Sequence, residues 1–177
     1  MATARIAAIL ALVIATAACS APAGQLPPHA AATAQDPGFA STFRHEFADV
    51  DGVRLHYVTG GSGSPVVLLH GWPRTWFGWW PIMPALAGHH TVHAVDLPGL
   101  GDSTGSPTGY DKATLARYAH SLVADRLGVR GAAVVGHDLG AAAAFQYAAQ
   151  FPADTTRLGY LDLPLPGPAS TGPPTAR

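Results

Sequence analysis

The stretch from Ala132 to Gln150 restricts the folds open to this chain more than any other. Ala132-Ala133-Val134-Val135 is a short apolar run. Gly136 and Gly140 bracket His137, Asp138 and Leu139, and an alanine-rich segment runs on to Gln150 before Pro152. Four apolar residues bounded by turn formers read as a strand buried on both faces. The alanine-rich segment after them reads as a helix, and small residues at the junction permit a tight strand-to-helix turn. The unit recurs upstream. Val66-Val67-Leu68-Leu69 is a second unbroken apolar run, residues 91–95 form a third strand and residues 157–161 a last one. Asp111 caps a predicted helix that runs to Leu127, with Leu115, Tyr118, Ala119, Leu122 and Leu127 on its apolar side and Gly128 ending it. Residues 76–86 form a short or kinked helix, because Pro81 and Pro84 interrupt any longer one. Asp51-Gly52, between residues 43–50 and 53–59, is a hairpin signal. Buried strands alternating with helices predict an α/β fold, a mostly parallel sheet with helices on both faces.

The two ends read differently. Arg5 precedes an apolar run over residues 6–16, and Ala17-Ala18-Cys19 follows, so residues 1–19 are expected to be a signal peptide or lipoprotein signal. Cys19 is the lipidation candidate; as the sole cysteine it excludes an intrachain disulfide and a cysteine metal cluster. The expected location is therefore exported, periplasmic or extracellular, with a membrane involved only through an N-terminal lipid. Residues 20–41 lack periodicity and read as a flexible leader, and residues 42–162 as a partial core. Residues 163–177 (LPLPGPASTGPPTAR) read as a Pro/Gly-rich linker or aberrant tail. A formal charge of -1 and a pI near 6.7 give no field to gather nucleic acid.

The chemistry concentrates at Gly136-His137-Asp138-Leu139-Gly140. Small residues flanking a strand-to-helix turn suit a nucleophile elbow, which pushes its middle side chain into an active site. That side chain is Asp138. A carboxylate attacks carbon directly and leaves an alkyl ester, chemistry suited to epoxides and carbon–halogen bonds. The first turn of a helix stabilises its charge. His70-Gly71-Trp72-Pro73 follows the strand at residues 66–69, and backbone N–H groups there and at Leu139 are placed to form an oxyanion hole. His70 is expected to hold the loop rather than act as a base.

The segments HGWPRTWFGWW (70–80), DLPGLGDS (96–103), GHDLGAAAAFQYAAQFP (136–152) and YLDLPLPG (160–167) together resemble the epoxide hydrolase branch of the α/β-hydrolase superfamily, related to haloalkane and haloacetate dehalogenases. The resemblance implies Asp138 as nucleophile, with Trp72 and Leu139 supplying backbone donors. It implies a small apolar epoxide or halide substrate, water as co-substrate, and no metal or organic cofactor. His70, Gly71, Pro73, Gly136, His137 and Gly140 are its structural motif residues. Asp96 and Asp102 are expected to be structural. Dehalogenases of the branch carry Trp or Arg after the nucleophile, where this chain has Leu139, which favours epoxide opening. A dehalogenase and a non-catalytic hydrolase-like binding domain are the alternatives. Trp72, Trp76, Trp79 and Trp80 are expected either to form one wall of an apolar substrate cavity or to pack the loop and short helix, packing being at least an equal expectation for every member except Trp72.

The same resemblance places a catalytic His and its orienting acid after a lid. All nine histidines here lie at or before His137, and the last acidic residue is Asp162. The expectation is a fold truncated before the lid and C-terminal strands, with no catalytic His or orienting acid in the chain, an exposed apolar strand edge, and little multiple turnover.

Overall fold

The structure is a computed structural model, and it describes residues 36–164. The signal segment, Cys19, the leader up to residue 35 and the tail from residue 165 lie outside the described residues.

Regular structure begins earlier than the sequence pattern indicates. Asp36 accepts hydrogen bonds from the Gly38 and Phe39 N–H groups and caps a one-turn helix, α1 (Pro37–Thr42). This corrects the leader's expected end at residue 41. Phe39 anchors the turn, stacked on Phe43 with centroids 4.4 Å apart and buried beside Trp76. The hairpin follows as expected: β1 (Phe43–Val50) and β2 (Val53–Gly61) pair antiparallel from Val50 opposite Val53. Asp51 and Gly52 both have positive φ, 47° and 80°, which a two-residue primed turn requires.

The remaining strands are β3 (Ser64–Leu69), β4 (His90–Val95), β5 (Ala132–His137) and β6 (Thr155–Leu161). Their order across the sheet is β1-β2-β4-β3-β5-β6; β2 runs antiparallel to β4, and β3, β4, β5 and β6 are parallel. Helices cover both faces. Val67, Leu69 and Val134 face α3 (Lys112–His120) and α4 (Leu139–Gln150), forming one core with Leu115, Leu122 and Tyr147. Val66, Leu68, Val92 and Ala94 face the other way, onto Phe39, Trp76, Trp79 and Met83. Two complete interfaces explain why the parallel strands are apolar throughout rather than alternating.

Besides α1, that second face carries two further helical segments, kept short by the prolines: a 3₁₀ turn (Trp76–Trp79) and α2 (Met83–Ala87). Asp111 caps α3 by accepting from the Thr114 N–H. The helix then widens over Ser121–Arg126 into π geometry, with the Leu127 N–H bonded to the Leu122 carbonyl, so the expected uniform helix to Leu127 is two segments. Among the described residues β6 is the last strand of the sheet and exposes Leu158 and Leu161.

Candidate active site

The site lies at the C-terminal ends of β3 and β5, where parallel strands of an open sheet leave a crevice. The β5-to-α4 junction folds as a sharp elbow. Asp138 has φ 52° and ψ -122°, a conformation costly for any residue with a Cβ. The junction is held by the Asp138 N–H on the Leu161 carbonyl (3.0 Å) and by the Asp138 carbonyl accepting from Ala141 N–H (2.9 Å). Two glycines make the turn possible. A Cβ on Gly136 would fall on the Gly140 carbonyl, and one on Gly140 would fall on the Leu69 carbonyl. Helix α4 can therefore pack close to the end of β3, bringing Asp138 beside the loop that begins at His70.

That loop supplies the first partner of the carboxylate. The Trp72 N–H donates to Asp138 Oδ1 at 2.9 Å. Hydrogen bonds from the Leu139 and Trp72 backbone N–H groups hold the Asp138 carboxyl below the usual carboxylate range. The three residues singled out as nucleophile and donors are thus brought together. Gly71 is what lets them meet: a Cβ there would lie 2.6 Å from Asp138 Cβ and 2.9 Å from His137 Nδ1.

His70 is a brace. It is fully buried, its Nδ1 lies 3.0 Å from the Gly71 carbonyl, and its Nε2 accepts from the Leu97 N–H at 3.1 Å. Those partners use the Nδ1–H neutral tautomer, and burial holds its pKa below the usual histidine range. The imidazole thus ties the loop after β3 to the loop after β4. His137 flanks Asp138, with its Nε2 3.4 Å from a carboxylate oxygen of the exposed Asp162.

The sequence reading did not find the buried network beneath this site. Asp96 is completely buried at the end of β4. Its Oδ2 meets His56 Nδ1 at 2.8 Å and accepts from the Asp102 N–H at 3.0 Å, and its Oδ1 accepts from the Trp76 N–H at 2.7 Å. Burial alone raises this carboxyl's pKa, but the His56, Trp76 and Asp102 hydrogen bonds outweigh it and leave the pKa below the usual value. Ser103 extends the network, donating to the Asp96 carbonyl and accepting from the His56 N–H. Asp96 therefore pins the loop at residues 96–103 and the 3₁₀ turn together. His56, Asp96 and Asp102 form a His/Asp cluster, with one ligand-type atom from each lying within 4.8 Å of the others. The Asp96 oxygens are already committed to His56 and backbone donors, which suits a structural brace better than a metal. Asp96 and Asp102 were expected to be structural, but the partner was not legible: His56 sits between Leu55 and Tyr57 on β2, forty residues from Asp96.

Two cavities flank Asp138. One, of about 120 Å³, is lined by His70, Gly71, Arg74, Trp79, His137 and Leu161 among others. The other, of about 320 Å³, is mostly apolar and includes Trp72, Leu97, Leu100, Tyr110 and Leu139. Trp72 is 66% exposed and reaches the larger cavity, whereas Trp76 and Trp79 are buried in the core.

This arrangement, a strained carboxylate elbow on a parallel sheet facing a backbone donor from the first crossover loop, is that of an α/β-hydrolase. The family model described as alpha/beta hydrolase fold matches residues 64–156, and the chain belongs to that family. Among its relatives is the soluble epoxide hydrolase of Corynebacterium sp. (strain C12), 47% identical over 128 residues, covering 72% of this chain and 44% of the relative. The fluoroacetate dehalogenase of Burkholderia sp. is 33% identical over 126 residues, covering 68% and 41%. The solved structure of Cfl2 from Burkholderia cenocepacia superimposes with a TM-score of 0.65 at 40% identity, covering 74% of this chain and 47% of that one. The chain spans less than half the length of these relatives.

Proposed function

We propose that this chain carries the nucleophile half of a hydrolase that opens small apolar epoxides through a covalent ester on Asp138. The observation that carries the reading is the elbow itself: an ionised carboxylate, held in a strained turn, with one oxygen on the Trp72 N–H. Oδ1 stays with that donor and Oδ2 attacks the epoxide carbon. The C–O bond breaks, its electron pair goes to the epoxide oxygen, and that oxygen takes a proton from water. In the hydrolytic step water attacks the ester carbonyl carbon, and the Trp72 and Leu139 N–H groups stabilise the resulting oxyanion. Its collapse breaks the acyl C–O bond, regenerates the Asp138 carboxylate and releases the diol, whose departing oxygen takes a proton supplied by the attacking water. The larger apolar cavity beside Trp72 and Leu139 accepts the substrate's hydrocarbon arm. The 47% identity to an epoxide hydrolase supports this choice of electrophile.

The dehalogenase reading draws on the 33% identity to a fluoroacetate dehalogenase. It uses the same Asp138 attack, with halide as the leaving group. Intact-mass spectrometry of the 177-residue chain exposed to styrene oxide separates these readings from a non-catalytic one. One adduct per chain, lost in Asp138→Asn, is the expected result; a folded chain with no adduct overturns the nucleophile. Parallel incubation with a haloalkane, followed by halide assay, decides the preferred leaving group. Export of the chain, with lipid on Cys19, rests on residues 1–19 alone. Loss of labelled fatty-acid incorporation in Cys19→Ala is its test.

A further inference from the structure

We propose that His137, positioned by Asp162, is the base that activates water against the Asp138 ester, an inference that rests on Asp138 being the nucleophile. Hydrolysis of that ester needs a group to take a proton from water. His137 ends β5, one residue before Asp138, and is half-buried. Its Nε2 lies 3.4 Å from a carboxylate oxygen of Asp162, and an anion there favours the tautomer with the proton on Nε2. Nδ1 is then the basic nitrogen, and it faces the reacting group. The point where a Cβ would stand on Gly71 is 2.9 Å from His137 Nδ1 and 3.0 Å from Asp138 Oδ1. Nitrogen and carboxylate border the same bare stretch of backbone, at a separation that one water molecule can bridge.

The backbone builds this pairing into the elbow. His137 stands opposite Leu161 in the β5–β6 ladder, and the Asp138 N–H is bonded to the Leu161 carbonyl at 3.0 Å. Asp162 follows at once, where the chain turns out of β6 with φ 57°. His137 is faced by Asp162 from the end of β6, by Asp138 from the elbow, and across the smaller cavity by His70 and Arg74 from the loop after β3. His70 has both nitrogens engaged, by the Gly71 carbonyl and the Leu97 N–H, and so has no lone pair for water. A positive charge on His137 also lowers the Asp138 pKa, which couples the two groups electrostatically. In the step itself, water gives one proton to Nδ1 as its oxygen bonds to the ester carbonyl carbon. Nδ1–H returns that proton to the departing diol oxygen as the acyl C–O bond breaks. The second proton of water leaves the new carboxyl group for solvent and neutralises the hydroxide formed at ring opening. The chain thus completes the reaction with its own residues, where its sequence led one to expect little turnover.

The test times the loss of a preformed ester. The 177-residue chain is loaded with excess styrene oxide and freed of reagent by desalting. Decay of the adduct is then followed by intact mass between about pH 5 and 8, the window in which an imidazole titrates. In the wild-type chain the decay rate is expected to rise with pH and then level off. In His137→Gln it falls about a hundredfold at neutral pH, the lower end for a positioned base, and follows hydroxide without levelling. Asp162→Asn, which removes the anion beside Nε2, slows decay about threefold, the modest effect of an exposed pair. Circular dichroism checks folding. Asp162 is exposed, so its variant and the wild-type pH profile decide the matter even where His137→Gln does not fold. A folded His137→Gln chain whose ester decays within about twofold of wild type overturns the base while leaving the nucleophile intact. So does a wild-type decay rate proportional to hydroxide throughout. Absence of any adduct in the wild-type chain overturns the nucleophile reading, and this inference with it.

Discussion

Asp96→Ala is expected to be among the most damaging single changes in the chain, although Asp96 touches no substrate. The substitution leaves three donors without their acceptor in a place water cannot reach: His56 Nδ1–H, and the N–H groups of Trp76 and Asp102. Breaking a buried pair from one side costs about 3–5 kcal/mol, and each stranded backbone donor carries roughly 1–3 kcal/mol of desolvation within that total. Against a domain stability of about 5–15 kcal/mol, the loss brings the protein near unfolding. Asp96→Asn, which keeps an acceptor oxygen, is expected to cost about half as much. Urea denaturation followed by tryptophan fluorescence reads both, since Trp76 sits on the network. The pH dependence adds an independent check. The folded-state pKa of Asp96 lies below the unfolded value near 4, so its contribution is fully present above that pH and is lost as pH falls through the folded value. The wild-type urea midpoint should therefore fall more steeply below about pH 4 than that of Asp96→Ala. A cost under about 1 kcal/mol for Asp96→Ala would refute the bracing role.

The same structure fixes three smaller expectations. Asp138 labelling by a small epoxide should be flat from neutral pH down to its folded pKa, with a midpoint below the ordinary value of about 3.9; a midpoint above 5 would mean that the backbone donors do not hold its charge. Gly71→Ala forces a methyl group to 2.6 Å from Asp138 Cβ, so labelling should slow at least about tenfold, because misplacing reacting groups by about 1 Å costs rate steeply. Wild-type rates in a folded Gly71→Ala chain would contradict that packing. Tyr147 is fully buried, with its hydroxyl lacking a hydrogen-bond partner among the described residues and burial pushing its pKa well above the usual tyrosine range. Tyr147→Phe should therefore leave stability unchanged or raise it by about 1 kcal/mol in the same urea assay.

What the sequence made legible was local. The Asp51-Gly52 hairpin, the apolar run of β3 and the strand–elbow–helix around Asp138 each depend on residues within a few positions of one another, so composition and spacing suffice. The brace role of His70 was also within reach, because it sits at a strand end beneath the site. The His56–Asp96 bond was not, since it joins β2 to the loop after β4 and only the sheet order brings them together. Helix α1 escaped notice for a related reason: Phe39 is worth ordering only against Phe43 and Trp76, and an isolated turn has no stability of its own. The two cavities are likewise products of packing and have no signature in the sequence.

The account stands most directly on where the covalent bond forms. Tandem mass spectrometry of peptides from the chain after reaction with styrene oxide locates the adduct. The expected site is Asp138, as an ester that hydroxylamine removes. An adduct on His137, Asp162 or His70 instead, with Asp138 unmodified, would contradict the central claim.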